Sequence, residues 1–229
     1  MPRISCVVAT RDRDEYIKEM AESIIAQTES DWELIIVDDH SKPEDKTEEI
    51  IKALNDSRIK YYRLNDQNGM GIACARNFGN EVASSDIIAV MDSDDICYPN
   101  RFELTLEEMA SSKSDILYSD IDYWYFEEYG RIEKYQSRNF NIEDFKRFDF
   151  IPHASSSYYR QIVLDHPYNS FFRKAEDYDL FSRLYCAGYK FHYTANSLIK
   201  YRKHSGSITI SNDGLFEYPE LVRKNRNWR

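Results

Sequence analysis

Residues 87–95 read IIAVMDSDD, an apolar run that ends in three carboxylates within four positions. The apolar part predicts a buried strand, and the acids then lie where that strand leaves the sheet. Carboxylates this close together repel one another, so a fold that holds them together usually supplies a cation, and oxygen ligands favour Mg²⁺ or Mn²⁺. The alternative is an ordinary acidic turn ahead of a helix that begins near Pro99.

The overall composition is that of a soluble globular chain. Its 229 residues are enough for one sizeable α/β core, and 42% of them are hydrophobic and 31% charged. Forty acidic residues against 30 basic ones give a formal net charge of −10, which argues against general nucleic-acid binding. An anionic substrate would therefore need a local positive site or a metal ion.

The cysteines indicate a reducing compartment. Cys6, Cys74, Cys97 and Cys186 are widely spaced and form no zinc-binding pattern. The apolar run at residues 4–9 is too short for the core of a signal peptide, and no run approaches the length of a membrane span. We therefore expect a cytoplasmic protein with free thiols.

Strand-like and helix-like segments alternate along the first half of the chain. The first helical pattern follows Asp12, which resembles a capping box with Glu15, and a later one covers residues 72–81. The alternation predicts an α/β fold with a Rossmann-like, mostly parallel central sheet flanked by helices. The buried-strand patterns lie at residues 4–9, 32–37, 59–64 and 87–92.

Polar residues follow three of these strands. Thr10-Arg11 follows the first strand, Asp38-Asp39 the second and Asp92-Ser93-Asp94 the fourth. Ligands of such sheets lie outside the carboxyl ends of the strands, so the topology predicts that the three segments share one rim. The fingerprint G-x-G-x-x-G is absent after the first strand, which disfavours a dinucleotide-binding dehydrogenase.

The second half has a different pattern, which predicts a smaller mixed region. Residues 116–126 and 131–135 flank Gly130 and suggest a hairpin, and residues 175–187 predict a helix that ends at Gly188. No repeat, low-complexity segment or linker divides the chain. We therefore expect one domain over residues 1–229, with halves at about 1–115 and 116–229.

A series of short motifs, taken together, resembles family 2 glycosyltransferases of the GT-A fold. The resemblance covers most of the chain. Its motifs are specific to the family but hardly distinguish one member from another. It implies an inverting enzyme that uses a nucleotide sugar, with a nucleotide-binding first half and an acceptor-binding second half. The motifs are residues 8–13 (VATRDR), Gln27-Thr28, residues 32–41 (WELIIVDDHS), Gly71 with residues 75–79 (ARNFG), residues 91–95 (MDSDD), residues 176–180 (EDYDL), and residues 201–204 (YRKH) with Ser207.

On the nucleotide side, the resemblance implies a pocket lined by Ala9, Thr10 and Arg11. Asp39 would accept a hydrogen bond from the uracil N–H, which favours a UDP-sugar donor. Arg76 would supply positive charge beside the diphosphate. An ion pair between Arg76 and a rim aspartate is the alternative.

The segment Asp92-Ser93-Asp94 matches the D-x-D motif of the family. Asp92 would contact the ribose or the metal, with Ser93 beside the nucleotide, and Asp94 would ligate a Mn²⁺ or Mg²⁺ ion that bridges the diphosphate. His204 matches a position near the metal or diphosphate in some members, and an imidazole ligand would favour Mn²⁺. A structural histidine is the alternative. Asp95 would lie on the acceptor side or cap a helix.

The resemblance assigns Asp177 as the base of a single displacement that inverts the anomeric carbon, with Glu176 as its support. One carboxylate suffices because the metal neutralises the leaving diphosphate. The alternative is that both acids merely favour a helix N-terminus. His153 would bind an acceptor hydroxyl or serve the structure. The aromatic residues 123–126 would stack on an acceptor sugar or pack between the halves, and strand alternation sends neighbours to opposite faces.

The partners that the resemblance implies are a nucleotide-sugar donor and a glycan or lipid-linked acceptor. The basic tail with Arg223, Lys224, Arg226 and Trp228 would touch the anionic inner face of a membrane, or end as a solvated helix. A sugar nucleotidyltransferase is a second reading, but it would show a Gly-rich loop after the first strand. A noncatalytic sugar- or nucleotide-binding partner subunit is a third. Donor sugar, linkage and oligomeric state are not legible in the sequence.

Overall fold

One mixed sheet organises the computed structural model, which describes residues 1–65, 70–204, 217–226 and 228. The strands of this sheet are β1 (Ile4–Thr10), β2 (Trp32–Asp38), β3 (Ile59–Arg63), β4 (Ile87–Asp92), β5 (Ile96–Cys97), β6 (Ile116–Tyr125), β7 (Arg131–Tyr135), β8 (Ser157–Tyr159) and β9 (Phe191–Arg202). The helices are α1 (Asp14–Ile25), α2 (Thr47–Ala53), α3 (Ile72–Val82), α4 (Arg101–Ser112), α5 (Ile142–Phe145), α6 (Arg160–Asp165), α7 (Glu176–Ala187) and α8 (Glu217–Asn225), with a short 3₁₀ helix at His153–Ser155.

The sheet has a parallel half and a mixed half. Its strand order is β3-β2-β1-β4-β8-β6-β9-β5, and β7 pairs with residues 121–125 of β6. All pairs among β1 to β4 are parallel, whereas β8 is antiparallel to both β4 and β6. Every residue of β2 is buried, as a strand covered by helices on both faces requires. The predicted α/β sheet is confirmed, and it continues through both halves of the chain without a break.

The exit from β1 differs from its prediction. Asp12 does not cap a helix, because α1 begins two residues later at Asp14 and its preceding residue makes no side-chain cap. Asp12 has a positive φ of 52°, and its Oδ1 accepts the N–H of Lys42 at 2.8 Å. Its own N–H donates to Oγ of Ser41 at 2.9 Å. The capping-box interpretation was therefore wrong, since Asp12 joins the segments that follow β1 and β2.

Helix α3 lies unusually close to the sheet. A Cβ on Gly79 would be 2.5 Å from Cγ1 of Val7 on β1 and 3.4 Å from Cγ2 of Val37 on β2. Real Cβ atoms do not approach other carbons that closely, so only glycine permits this contact. Arg76 lies one turn earlier on the same helix, and the close approach of α3 determines how deeply its guanidinium reaches.

The C-terminal helix packs against the mixed half. Arg226 forms an ion pair with Asp179 of α7, and the Trp228 ring lies 6.3 Å from that of Phe145. Arg223 donates to the carbonyl of Arg147. Several residues of the predicted basic tail therefore pack against the rest of the domain. Contact between this tail and a membrane stays a prediction. Among the described helices, none is both long and apolar enough to cross a bilayer.

We expect Gly79→Ala to lower the free energy of unfolding by about 1–3 kcal/mol, because the added methyl group overpacks the contact with Val7. Urea denaturation measures this change. The double variant Val7→Ala/Gly79→Ala provides the matched test, since trimming Val7 makes room for the new methyl group. The double variant should lose less stability than the sum of the single variants. Strictly additive losses would show that the two side chains do not meet.

Candidate active site

A cavity of about 600 Å³ lies at the carboxyl ends of the parallel strands and extends towards β6, β7 and β9. It brings together residues from both halves of the chain, as the shared-rim prediction requires. Of the predicted site residues, Asp95 and His204 are not among those that line it. Those that do are Ala9, Thr10, Arg11, Asp39, Arg76, Asp92, Ser93, Asp94, His153, Glu176 and Asp177.

Arg76 links the two halves at the floor of this cavity. Its guanidinium lies 2.9 Å from Oδ1 of Asp92 at the end of β4 and pairs with Glu176 at the start of α7. The residue is only 4% exposed, so these ion pairs are shielded from water. Burial alone would lower the pKa of Arg76, but the carboxylates of Glu176 and Asp92 raise it above its usual range. Arg76 thus forms the ion pair with a rim aspartate that was the alternative interpretation, and it also lines the cavity.

Asp39 is held by the loop that leads into α3. Its Oδ1 accepts the N–H of Met70 at 2.6 Å, and its Oδ2 accepts that of Gly71 at 2.9 Å. Arg11 lies 3.7 Å from the same carboxylate. Two lone-pair directions of the carboxylate remain for a ligand. Gly71 adopts a φ of +92°, and a Cβ there would be 3.1 Å from the guanidinium of Arg173. The backbone at this position therefore requires glycine.

The side chains of Asp94 and His204 face each other close to Asp92. Oδ2 of Asp94 lies 3.0 Å from Nε2 of His204 and 3.9 Å from Nε of Arg13. Within the described part of the chain, no three His, Cys, Asp or Glu side chains form a ready metal site. A cation bound between protein and a nucleotide diphosphate commonly takes only one or two carboxylates from the protein. The Asp94–His204 pair fits such an ion. Ser207, from the same sequence motif, lies outside the described residues.

Asp95 does not reach the cavity. It is 1% exposed, and its Oδ1 accepts the backbone N–H of Arg202 at 2.9 Å. Burial and the nearby charges of Asp94 and Asp92 raise its pKa well above the usual range. The structure therefore places Asp95 as a link between the D-x-D turn and β9, away from the acceptor side of the cavity. It does not cap α4 either, because Asn100 precedes that helix.

The acids at the start of α7 lie in a partly desolvated environment. Burial raises the pKa of Asp177, and Arg76 opposes this shift. Burial and the charge of Asp177 together raise the pKa of Glu176 to about 7, again against the effect of Arg76. Ala175, the residue before the helix, has a φ of +60°, a conformation that costs a non-glycine residue of order 1–3 kcal/mol. Such backbone strain is typical of functional sites.

Sequence reasoning missed Asp149 and the basic pair Arg173-Lys174, all of which line the cavity. Oδ1 of Asp149 accepts the N–H of Ile151 at 3.0 Å. Burial and the neighbouring Asp177 raise the pKa of Asp149 well above its usual range. A lone aspartate in a loop has no pattern that could reveal it. A signal for the basic pair is present in the sequence, since only Ala175 separates it from the Glu176-Asp177 motif.

His153 lies between the cavity and the core. Its Nε2 is 2.8 Å from the hydroxyl of Tyr168, which in turn is 2.9 Å from that of Tyr158. Burial and the charge of Arg76 lower the pKa of His153 well below its usual range. A neutral imidazole is therefore part of a hydroxyl network, while its ring lines the cavity wall.

We expect Arg76→Met to lower the free energy of unfolding by about 3–5 kcal/mol, because it leaves the buried Glu176 and the partly buried Asp92 without a cation. The loss should shrink in the double variant Arg76→Met/Glu176→Gln, where one of the unpaired charges is removed. Arg131→Met, which changes an exposed ion pair on β7, is the matched control and should stay within about 0.5 kcal/mol of wild type. Thermal or urea denaturation at neutral pH measures all three. Equal stability of Arg76→Met and Arg131→Met would contradict the buried bridge.

Comparisons with known proteins agree with this geometry. The family model "Glycosyl transferase family 2" matches residues 5–181. The uncharacterized glycosyltransferase MJ1057 of Methanocaldococcus jannaschii is 30% identical over 208 residues, which cover 88% of this chain and 71% of that protein. The family match includes most of the residues that line the cavity, whereas Tyr201 and Lys203 lie beyond its end.

Two solved structures share the fold. Staphylococcus aureus TarS 1–349, solved in complex with UDP-GlcNAc, superposes with a TM-score of 0.78 at 19% identity, over 100% of this chain and 68% of that one. The mannosyltransferase PcManGT from Pyrobaculum calidifontis, in complex with GDP-Man and Mn²⁺, gives a TM-score of 0.67 at 14% identity, over 87% of this chain and 56% of that one. Together with the family match, they show that this chain is a glycosyltransferase of family 2 with the GT-A fold, which transfers a sugar from a nucleotide sugar.

Proposed function

We propose that this glycosyltransferase moves a sugar from a UDP-sugar to a hydroxyl of a glycan or lipid-linked acceptor, with inversion at the anomeric carbon and with Asp177 as the base. The observation that carries the proposal is that the D-x-D turn, the β2 rim with Asp39, and the acids of α7 all line one cavity. A donor at the rim and an acceptor near α7 would thus share one enclosed space. A cytoplasmic location is part of this proposal.

The nucleotide would lie along the rim formed by β1 and β2. Thr10 and Arg11 line the cavity there beside Asp39. The N–H groups of Met70 and Gly71 orient the Asp39 carboxylate, and uracil offers a matching N–H donor at its edge. This complementarity favours uridine over cytidine, whose ring has no N–H at that position.

Asp94 and His204 would hold a divalent cation, with Asp92 close by on the same turn. When bound, such a cation neutralises the charge that develops on the leaving diphosphate. The imidazole of His204 favours Mn²⁺ over Mg²⁺, which prefers oxygen ligands. The presence of Mn²⁺ with GDP-Man in the PcManGT structure supports this choice.

Asp177 would accept the proton of the acceptor hydroxyl while that oxygen bonds to the anomeric carbon. The bond from this carbon to the diphosphate oxygen breaks in the same displacement, and the nucleoside diphosphate leaves. Burial raises the pKa of Asp177, which makes it a stronger proton acceptor than a solvated aspartate. Its Oδ1 accepts the N–H of Tyr178 at 2.8 Å, which helps to fix its orientation. The pairing of Arg76 with Glu176 fixes the first turn of α7.

Nucleotide titration tests the donor half of the proposal. Calorimetry with UDP, GDP, CDP and dTDP, each with Mn²⁺ and again with EDTA, should show the tightest binding for UDP with Mn²⁺. Asp94→Asn should remove the advantage of Mn²⁺ over EDTA, because the cation loses its carboxylate ligand. Asp86→Asn, an exposed change at the other end of β4, should leave binding unchanged. If no nucleotide binds wild type in either condition, the noncatalytic reading replaces this proposal.

Asp177→Asn separates binding from chemistry. We expect its affinity for the preferred nucleotide sugar to stay within about twofold of wild type, while transfer falls by about 10²–10⁴-fold, because an amide cannot accept the proton. The slow release of nucleoside diphosphate from the donor, with water as acceptor, provides a readout that requires no known acceptor. Asp86→Asn is again the control. Loss of donor binding by Asp177→Asn would show that Asp177 does not act simply as the base.

A further inference from the structure

The wall of the cavity opposite the nucleotide rim is a face of tyrosine rings, formed by Tyr123, Tyr135 and Tyr201. Tyr123 on β6 is in register with Tyr201 on β9, and the two ring centroids are 5.8 Å apart. The ring of Tyr135 on β7 lies 5.4 Å from that of Tyr123. Strand alternation sends Trp124 to the other face, where it packs over Arg202. The three residues therefore form a connected cluster of aromatic rings in the cavity wall.

Lys203 adds a positive charge to this tyrosine face. Its Nζ lies 4.0 Å from the ring centroid of Tyr123 and 4.7 Å from that of Tyr201, and its side chain also lines the cavity. The backbone N–H of Lys203 donates to the carbonyl of Trp124 at 2.9 Å, which fixes the lysine at the end of β9. Within the described residues its ammonium group forms no ion pair, and the charge of Asp95 acts on it only from a longer distance. Contact with an aromatic face attracts a cation but leaves its charge and its hydrogen-bond donors available.

Each of three cations on the nucleotide side of the cavity, in contrast to Lys203, forms an ion pair with a carboxylate. Arg76 pairs with Asp92, Arg11 with Asp39 and Arg13 with Asp94. In a chain with a formal net charge of −10, a partly buried ammonium group that lines the cavity and forms no ion pair within the described structure can attract an anionic group of a ligand. The tyrosine rings beside it are inclined to one another, by 75° between Tyr123 and Tyr201 and by 47° between Tyr123 and Tyr135, so each ring by itself offers apolar surface that a sugar ring can contact.

We propose that the tyrosine face binds the acceptor, and that this acceptor is a saccharide with an anionic group, a carboxylate or a phosphate, which pairs with Lys203 while the sugar ring lies on the tyrosines. This inference rests on the proposed function, because it requires the donor to occupy the nucleotide rim. It narrows the acceptor class from any glycan or lipid-linked saccharide to an acidic one. A neutral sugar would use the rings alone and leave the ammonium group unpaired.

Three simple saccharides test the proposal by calorimetry or saturation-transfer NMR: methyl glucuronide, glucose 1-phosphate and methyl glucoside. Each is titrated with UDP and Mn²⁺ present, so that the donor diphosphate position is filled. We expect at least one anionic saccharide to bind about tenfold more tightly than methyl glucoside. Preference for the glucuronide identifies a sugar carboxylate, and preference for the 1-phosphate identifies a phosphate next to the sugar.

Two lysine variants then locate the charge. Lys203→Met should remove the preference for the anionic saccharide and leave the affinities for methyl glucoside and UDP unchanged. Lys200→Met is the matched control, because Lys200 lies near the end of β9, over the rings of Tyr98 and Trp124, but does not line the cavity. It should bind like wild type. Tyr123→Leu should weaken all three saccharides, since it removes the aromatic surface.

The opposite results would overturn the inference. If wild type binds methyl glucoside as tightly as the anionic saccharides, or binds neither anionic saccharide at millimolar concentration, the tyrosine face is not an acidic-acceptor site. If Lys203→Met instead lowers the affinity for UDP, Lys203 belongs to the donor diphosphate. Failure of the proposed function has a different signature, because UDP then fails to bind wild type at all. The saccharide titrations can still be read in that case without nucleotide.

Discussion

The guanidinium of Arg76 is the contact on which the rest of this site depends. It is nearly inaccessible to water, and it joins Asp92 at the end of β4 to Glu176 at the start of α7. Desolvation disfavours a charged carboxylate, so the arginine stabilises the ionised forms of both acids. The same contact holds the strand that carries the D-x-D motif against the helix that carries the proposed base. Donor chemistry and acceptor chemistry are thereby brought to one place.

The cavity is lined by many carboxylates, and arginine side chains lie beside several of them. The described lining includes the carboxylates of Asp39, Asp92, Asp94, Asp149, Glu176 and Asp177. Burial and mutual repulsion raise the pKa values of several of them, including Asp92 and Asp149. Arginines compensate for part of this charge, and a divalent cation with the donor diphosphate would compensate for more. A cavity of this kind suits a reaction whose leaving group is a diphosphate, because cations attracted by the acids can also serve the phosphates.

The packing of α7 illustrates how distant segments support the site. Asp179, in the first turn of α7, forms ion pairs with Arg183 on its own helix and with Arg226 on the C-terminal segment. The ring of Trp228 lies beside Phe145 and Tyr178. These contacts hold the start of α7 against the C-terminal segment. Residues that look like a solvated basic tail in the sequence thus contribute to the position of the proposed base.

The sequence by itself determined the alternation of strands and helices, the rim at the carboxyl ends of β1, β2 and β4, and the family. These features depend on local periodicity and on short motifs, which the backbone geometry of each element imposes on neighbouring residues. Only the tertiary structure decided that Arg76 bridges Asp92 and Glu176, that Asp95 turns inward, and that Asp149 and Lys203 face the cavity. Such contacts join residues up to about a hundred positions apart, as Arg76 and Glu176 are. They follow from how closely strands and helices pack, and a one-dimensional pattern does not encode that distance.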